Sequence, residues 1–122
     1  MSEQSELLKE RTISFAVNVL RLVDRLPRTS GSDVIARQLA KCATSIGANY
    51  RAVCNARSRA EFIARLGVVV EEAEESTYWL DILLRVRIIP GSQVPTLRQE
   101  AIELRSIFSR SAGTARLNAR TK

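Results

Sequence analysis

Apolar residues recur every three or four positions in four stretches of the chain. In the first, Leu8, Thr12, Phe15, Val19, Leu22 and Leu26 step by four and three. That spacing predicts a helix over about 7–26 with one face turned to a core. Ile13, Ala16, Leu20 and Val23 form a second row beside the first. Pro27, followed by Thr29-Ser30-Gly31-Ser32, ends the pattern. A second helix then starts with Ser30 or Ser32 as its cap. Its stripe is Ile35, Leu39, Cys42, Ile46, Asn49 or Tyr50, and Val53. Gly47 lies inside this stretch among Ala43, Ser45 and Ala48, which predicts close approach of a neighbouring helix.

Ser58 followed by Glu61 reads as a capping box for a third helix over about 59–88. Phe62, Leu66, Val69, Ala73, Ser76, Leu80 and Leu83 form the most regular stripe in the chain. Pro90-Gly91-Ser92 ends it. The fourth helix starts at Gln93 or Thr96 and carries Leu97, Ala101, Leu104 and Phe108 as far as Arg110. Beyond Ser111 the stripe fades, so 113–122 are expected to form a disordered basic tail. Four amphipathic segments with short connections predict an all-α fold, an antiparallel up-down four-helix bundle spanning 1–112 as one domain. Val68, Trp79 and Ile82 lie outside the main stripe of the third helix. With the second row of the first helix they exceed what a lone bundle buries, which predicts assembly with copies of the same chain.

Composition narrows the chemistry. The chain has no histidine, which removes the commonest general base and the commonest metal ligand. Glu71, Glu72, Glu74 and Glu75 cluster on the third helix, but a dimetal bundle site also wants Glu-x-x-His pairs on facing helices. There is no Gly-rich phosphate loop and no nucleophile beside a base. The expectation is a protein that is not an enzyme, with no cofactor, metal or small-molecule substrate. Cys42 and Cys54 lie twelve residues apart on one helix, about 18 Å along its axis, too far for a disulfide. No apolar run approaches the roughly 20 residues of a membrane span, and Met1 to Glu10 do not resemble a signal peptide. A cytoplasmic protein is expected.

Charge adds a direction. The net charge is +6. From Val34 to Arg59 there are five cations (Arg37, Lys41, Arg51, Arg57 and Arg59) and no acid. From Ala60 to Leu84 there are six acids against Arg65 alone. Two readings follow. In one, the five cations meet nucleic-acid phosphates, helped by Arg116, Arg120 and Lys122 of the tail. In the other, the basic helix meets the acidic one in a subunit interface built from Asn49, Val68, Glu72, Glu75, Trp79 and Ile82, with no nucleic-acid role. In either, Glu72 and Glu75 need partners, for which Arg51, Arg57 and Asn49 are the candidates. No aromatic residue interleaves with arginine, which argues against base-specific recognition.

Three segments carry a resemblance. They are Gln38-Leu39-Ala40-Lys41-Cys42-Ala43-Thr44-Ser45-Ile46-Gly47-Ala48-Asn49-Tyr50-Arg51-Ala52, Ala56-Arg57-Ser58-Arg59-Ala60-Glu61-Phe62-Ile63, and Glu71-Glu72-Ala73-Glu74-Glu75-Ser76-Thr77-Tyr78-Trp79-Leu80. With Leu26-Pro27-Arg28-Thr29, they resemble the bacterial four-helix bundle protein family over about 13–110. That family includes proteins encoded in intervening sequences of large-subunit ribosomal RNA genes. Arg51-Ala52 departs from the pattern, where many members have an acidic residue followed by Gly or Ala. The resemblance implies a cytoplasmic homo-oligomeric ring, a pentamer, without catalytic activity. Accessory proteins of diversity-generating retroelements are similar, basic and barrel-like, and bind nucleic acid with a reverse transcriptase. The resemblance thus implies RNA or DNA as a partner.

Overall fold

A computed structural model describes residues 2–120. They form four helices and no strand: α1 (Glu3–Val23), α2 (Ser30–Cys54), α3 (Arg59–Val86) and α4 (Gln93–Arg120). Each helix packs on its neighbours in chain order, α1 on α2, α2 on α3 and α3 on α4, and α4 returns to α1. This is the up-down four-helix bundle.

Local chemistry sets the helix starts. The Ser2 hydroxyl accepts from the Ser5 N–H at 3.0 Å, and the Ser58 hydroxyl accepts from the Glu61 N–H at 3.0 Å. The cap of α2 is Thr29, which accepts from the Ser32 N–H at 3.2 Å. The expected caps, Ser30 and Ser32, instead stand in the first turn, because an extended Thr29 already reaches that N–H. α3 stops at Val86 because Arg87 adopts the left-handed conformation, with φ 56° and ψ 39°. Gly91 turns the chain with φ 90°.

The core is the four stripes. Thr12, Phe15, Val19 and Leu22 of α1 meet Ile35, Leu39, Cys42, Ile46, Tyr50 and Val53 of α2. Leu66, Val69, Ala73, Ser76, Leu80 and Leu83 of α3 complete it with Val94, Leu97, Ala101, Leu104, Phe108 and Ala112 of α4. Burying one such Leu or Phe side chain contributes about 1.5–3 kcal/mol. The Tyr50 and Phe108 rings sit 5.1 Å apart, tilted by 44°. A Cβ on Gly47 would stand 2.9 Å from the Thr12 hydroxyl, so α1 and α2 do approach closely there. Cys42 and Cys54 are free thiols. Cys42 is buried, accepts from the Ser76 hydroxyl at 3.3 Å, and is held above the usual thiol range by that burial.

The fourth helix departs from expectation. It does not end at Arg110, and 113–120 do not form a disordered tail; the helix continues to Arg120. The stripe persists through Ala112, which is buried, and Ala115, which is half-buried. Both are too small to stand out in a hydrophobic pattern, and both are good helix formers. The added turns lie beside the α2–α3 connection, where Ala115 and Asn118 share a groove with Ala56, Arg59 and Phe62.

Candidate nucleic-acid interface

Contacts across the bundle set the helix register. Gly47 faces Thr12, Ser76 faces Cys42, and Arg105 meets Glu74 at 3.8 Å while Arg98 meets Asp81 at 3.5 Å. Arg11 pairs with Glu100 at 2.7 Å and Glu103 at 3.0 Å, and Arg25 donates to Gln93. These pairings sort the charges by height. At the waist lie Glu71, Glu72, Glu74 and Glu75 of α3, Glu100 and Glu103 of α4, and Glu10 of α1, against Lys9, Arg11, Lys41 and Arg105. Both ends are basic. One end holds the α2–α3 connection and the chain termini; the other holds the α1–α2 and α3–α4 connections.

The sequence-predicted cations therefore divide. Arg51, Arg57, Arg59 and Arg116 gather at the terminal end and are exposed. Arg37 lies toward the opposite end, one turn beyond Lys41 and 17 residues, about 25 Å, from the last residue of α2. Lys41 stands at the waist near Glu72. The side chain of Arg120 and all of Lys122 lie outside the described residues. Arg110, on the exposed face of α4, joins the terminal group; its Nε donates to the Ser106 carbonyl at 3.4 Å. A groove of about 560 Å³ runs between Arg110, Ile107, Phe62 and Asn118. No acid pairs with Arg51, Arg57, Arg59, Arg110 or Arg116 among the described residues. Glu61 is already engaged: it accepts from the Arg57 backbone N–H at 3.1 Å and from Arg65 at 2.9 Å. Those bonds, the backbone one first, hold its carboxyl below the usual range.

The acidic side of α3 is not neutralised as expected. Arg51, Arg57 and Asn49 do not reach Glu72 or Glu75. Asn49 instead donates to the Ser45 carbonyl of its own helix at 2.8 Å. Glu72 faces Ser45 and Lys41; burial, followed by the nearby Glu75, keeps its carboxyl above the usual range. The reason is register: Arg51 and Arg57 lie one and more than two turns nearer the α2 C-terminus than the position opposite Glu72.

Of the remaining interface candidates, Val68 is 40% exposed and Glu75 is exposed, while Trp79 and Ile82 are half-buried against the core. Trp79 also meets Tyr78 edge-on at 5.1 Å. On α1, Ile13, Val17 and Leu20 stand about 40% exposed as a second apolar strip. The cations that sequence reasoning missed are Arg21, Arg25, Arg28, Arg85 and Arg87. Each closes a helix or follows one, and only the fold shows that they share an end.

No described helix is long and apolar enough to cross a membrane. Among curated proteins none matches the chain. It is similar to a solved protein of unknown function from the S23 ribosomal protein family of Bacteroides thetaiotaomicron. The identity is 30%, the match covers 89% of this chain and 97% of that one, and the TM-score is 0.80. The family model described as 23S rRNA-intervening sequence protein matches residues 6–110. With that match across nearly the whole bundle, the chain belongs to the 23S rRNA-intervening sequence protein family.

Proposed function

We propose that the protein is a non-enzymatic, self-assembling bundle that binds nucleic acid through the basic terminal end. The observation that carries this reading is the exposed set Arg51, Arg57, Arg59, Arg110 and Arg116, drawn from three helices and the α2–α3 connection and left without acidic partners among the described residues. Arginines held this way neutralise phosphates and release counterions, an attraction indifferent to sequence. The solvated-surface alternative would intersperse such arginines evenly with acids. Here seven of the thirteen acids lie at the waist and, at the terminal end, Glu6 is paired with Lys9 and Glu61 with Arg65, leaving Glu3 in the first turn of α1.

Titration of a fluorescent RNA over a range of salt tests it. The expected result is binding that weakens steeply with salt and is similar for unrelated sequences. Arg57→Ala, Arg59→Ala and Arg116→Ala together lower the slope of log affinity against log salt by about 3. Absence of binding at low salt, or a slope unmoved by the triple substitution, refutes it.

For assembly, two apolar strips on different helices are available, Ile13, Val17 and Leu20 on α1 and Val68, Trp79 and Ile82 on α3. Two unlike strips suit a head-to-tail contact that closes into a ring, and the family resemblance favours five copies in the cytoplasm. The second reading, a protein-interaction scaffold, rests on the same strips and requires no nucleic acid.

A further inference from the structure

The opposite end of the bundle carries a basic surface of its own. α1 closes with Arg21, and Arg25 and Arg28 follow it; α3 closes with Arg85, and Arg87 caps it. All five are exposed. The connections 24–29 and 87–92 bring these residues, some 60 positions apart in sequence, to one end of the molecule. The local acids do not cancel them. Asp81 is shared between Arg85 and Arg98, each at 3.5 Å, and Asp33 lies in the first turn of α2, where it complements the helix dipole. Asp24 is the remaining acid. Arg25 donates to Gln93, a neutral group, and Arg21, Arg28 and Arg87 have no ion-pair partner among the described residues.

The two basic ends are well separated. Arg59 and Arg87 stand 28 residues apart along α3, about 40 Å. That is several Debye lengths at physiological salt, and the acidic waist lies between. A single phosphate backbone running along the α3 flank would cross Glu71, Glu74 and Glu75, all exposed, whereas along α2 it would meet Arg37, Lys41 and Arg51 and, beyond Asp33, no acid, so the separation of the two surfaces rests on their distance.

We infer that the end formed by the α1–α2 and α3–α4 connections is a second, independent phosphate-binding surface, so that the protein bridges two separate nucleic-acid segments. The inference rests on the nucleic-acid reading above and extends it from one site to two. The ligand class is the phosphate backbone of a duplex, met without base readout, because the surface offers arginines and no aromatic platform.

The test uses the full chain and two short blunt RNA duplexes carrying different fluorophores. Bridging is read as energy transfer or co-diffusion between them, and total binding as anisotropy of one duplex alone. Wild type is expected to bring the two together. Arg25→Gln, Arg28→Gln and Arg87→Gln combined should weaken bridging and about halve the duplexes bound per chain at saturation, a count that does not depend on how many chains assemble. The same variant should still bind one duplex with the affinity of the terminal end. These are exposed side chains, and far-UV circular dichroism checks that the helices persist. If the triple variant binds as many duplexes per chain as wild type does, the second surface is refuted while the nucleic-acid reading stands. If wild type binds no duplex at low salt, the nucleic-acid reading itself fails and takes this inference with it.

Discussion

Thr12 and Gly47 form the tightest contact between α1 and α2. Thr12 is fully buried and donates its hydroxyl proton to the Lys9 carbonyl at 2.9 Å, so it has little freedom to retreat. Gly47→Ala gains about 1 kcal/mol of helix propensity but forces the new methyl into that hydroxyl. Overpacking of this kind costs about 1–3 kcal/mol. The expected net effect is a loss of up to about 2 kcal/mol in urea denaturation, reversed to a gain when Thr12→Ala is added. Arg87 presents the opposite case. It holds a left-handed conformation in which glycine is unstrained. Arg87→Gly should stabilise the protein by about 1 kcal/mol in the same assay and weaken duplex binding at the second phosphate surface. Glu72 gives a pH signature. Its folded carboxyl binds a proton more readily than the unfolded one, so in the range just above ordinary carboxylate values the native state carries more protons. Stability therefore falls as pH rises through that range. Glu72→Gln should raise Tm at neutral pH and leave it unchanged once carboxylates are protonated. An unchanged pH profile would mean that Glu72 is no more desolvated folded than unfolded.

Among the elements, the α1–α4 seam is the thinnest in the bundle. A groove of about 890 Å³ opens there between Leu7, Phe15, Pro95 and Leu97, and polar groups bridge it. Arg11, with both Nε and an Nη nitrogen on Glu100 and a further bond to Glu103, is the main tie, and its guanidinium is held firmly protonated by them. Arg11→Ala should cost about 1 kcal/mol, the usual scale for a partly exposed but bidentate pair. Amide hydrogen exchange should then quicken along the first half of α1 and much less in α2 and α3. Uniform quickening across all four helices would show instead that the seam opens only with the whole bundle. The terminal turns of α4 stay helical to Arg120, with Ala115 half-buried. Deleting 113–122 is thus expected to remove helical signal as well as charge.

For the whole molecule, the decisive quantity is its mass in solution. Light scattering at low and high salt should return a multiple of 13.6 kDa that is insensitive to salt, because the strips on α1 and α3 are apolar. Five copies are expected from the family resemblance. Leu20→Glu should reduce the assembly toward monomer without unfolding it, since Leu20 is 41% exposed in the single chain. A salt-sensitive mass would transfer the contact to the charged bands.

The hydrophobic period was enough by itself to determine four helices, their buried stripes and, with short connections, their antiparallel order, because a 3.6-residue helix can bury only one face of such a pattern. It also marked Gly47, in a run of small residues, as a point of close helix approach, and the structure supplied the neighbour, Thr12 of α1. It failed where the stripe is made of small residues, at Ala112 and Ala115, and so shortened α4 by a third. The charges were read one helix at a time, as a basic α2 beside an acidic α3. Only the tertiary structure decided that they sort by height. Antiparallel packing reverses direction at every connection, so residues near the start of one helix join residues near the end of the next. Arg28 and Arg87 meet at one end, Arg59 and Arg116 at the other, and Arg37 parts from Arg57, although each pair's positions in the chain suggest otherwise.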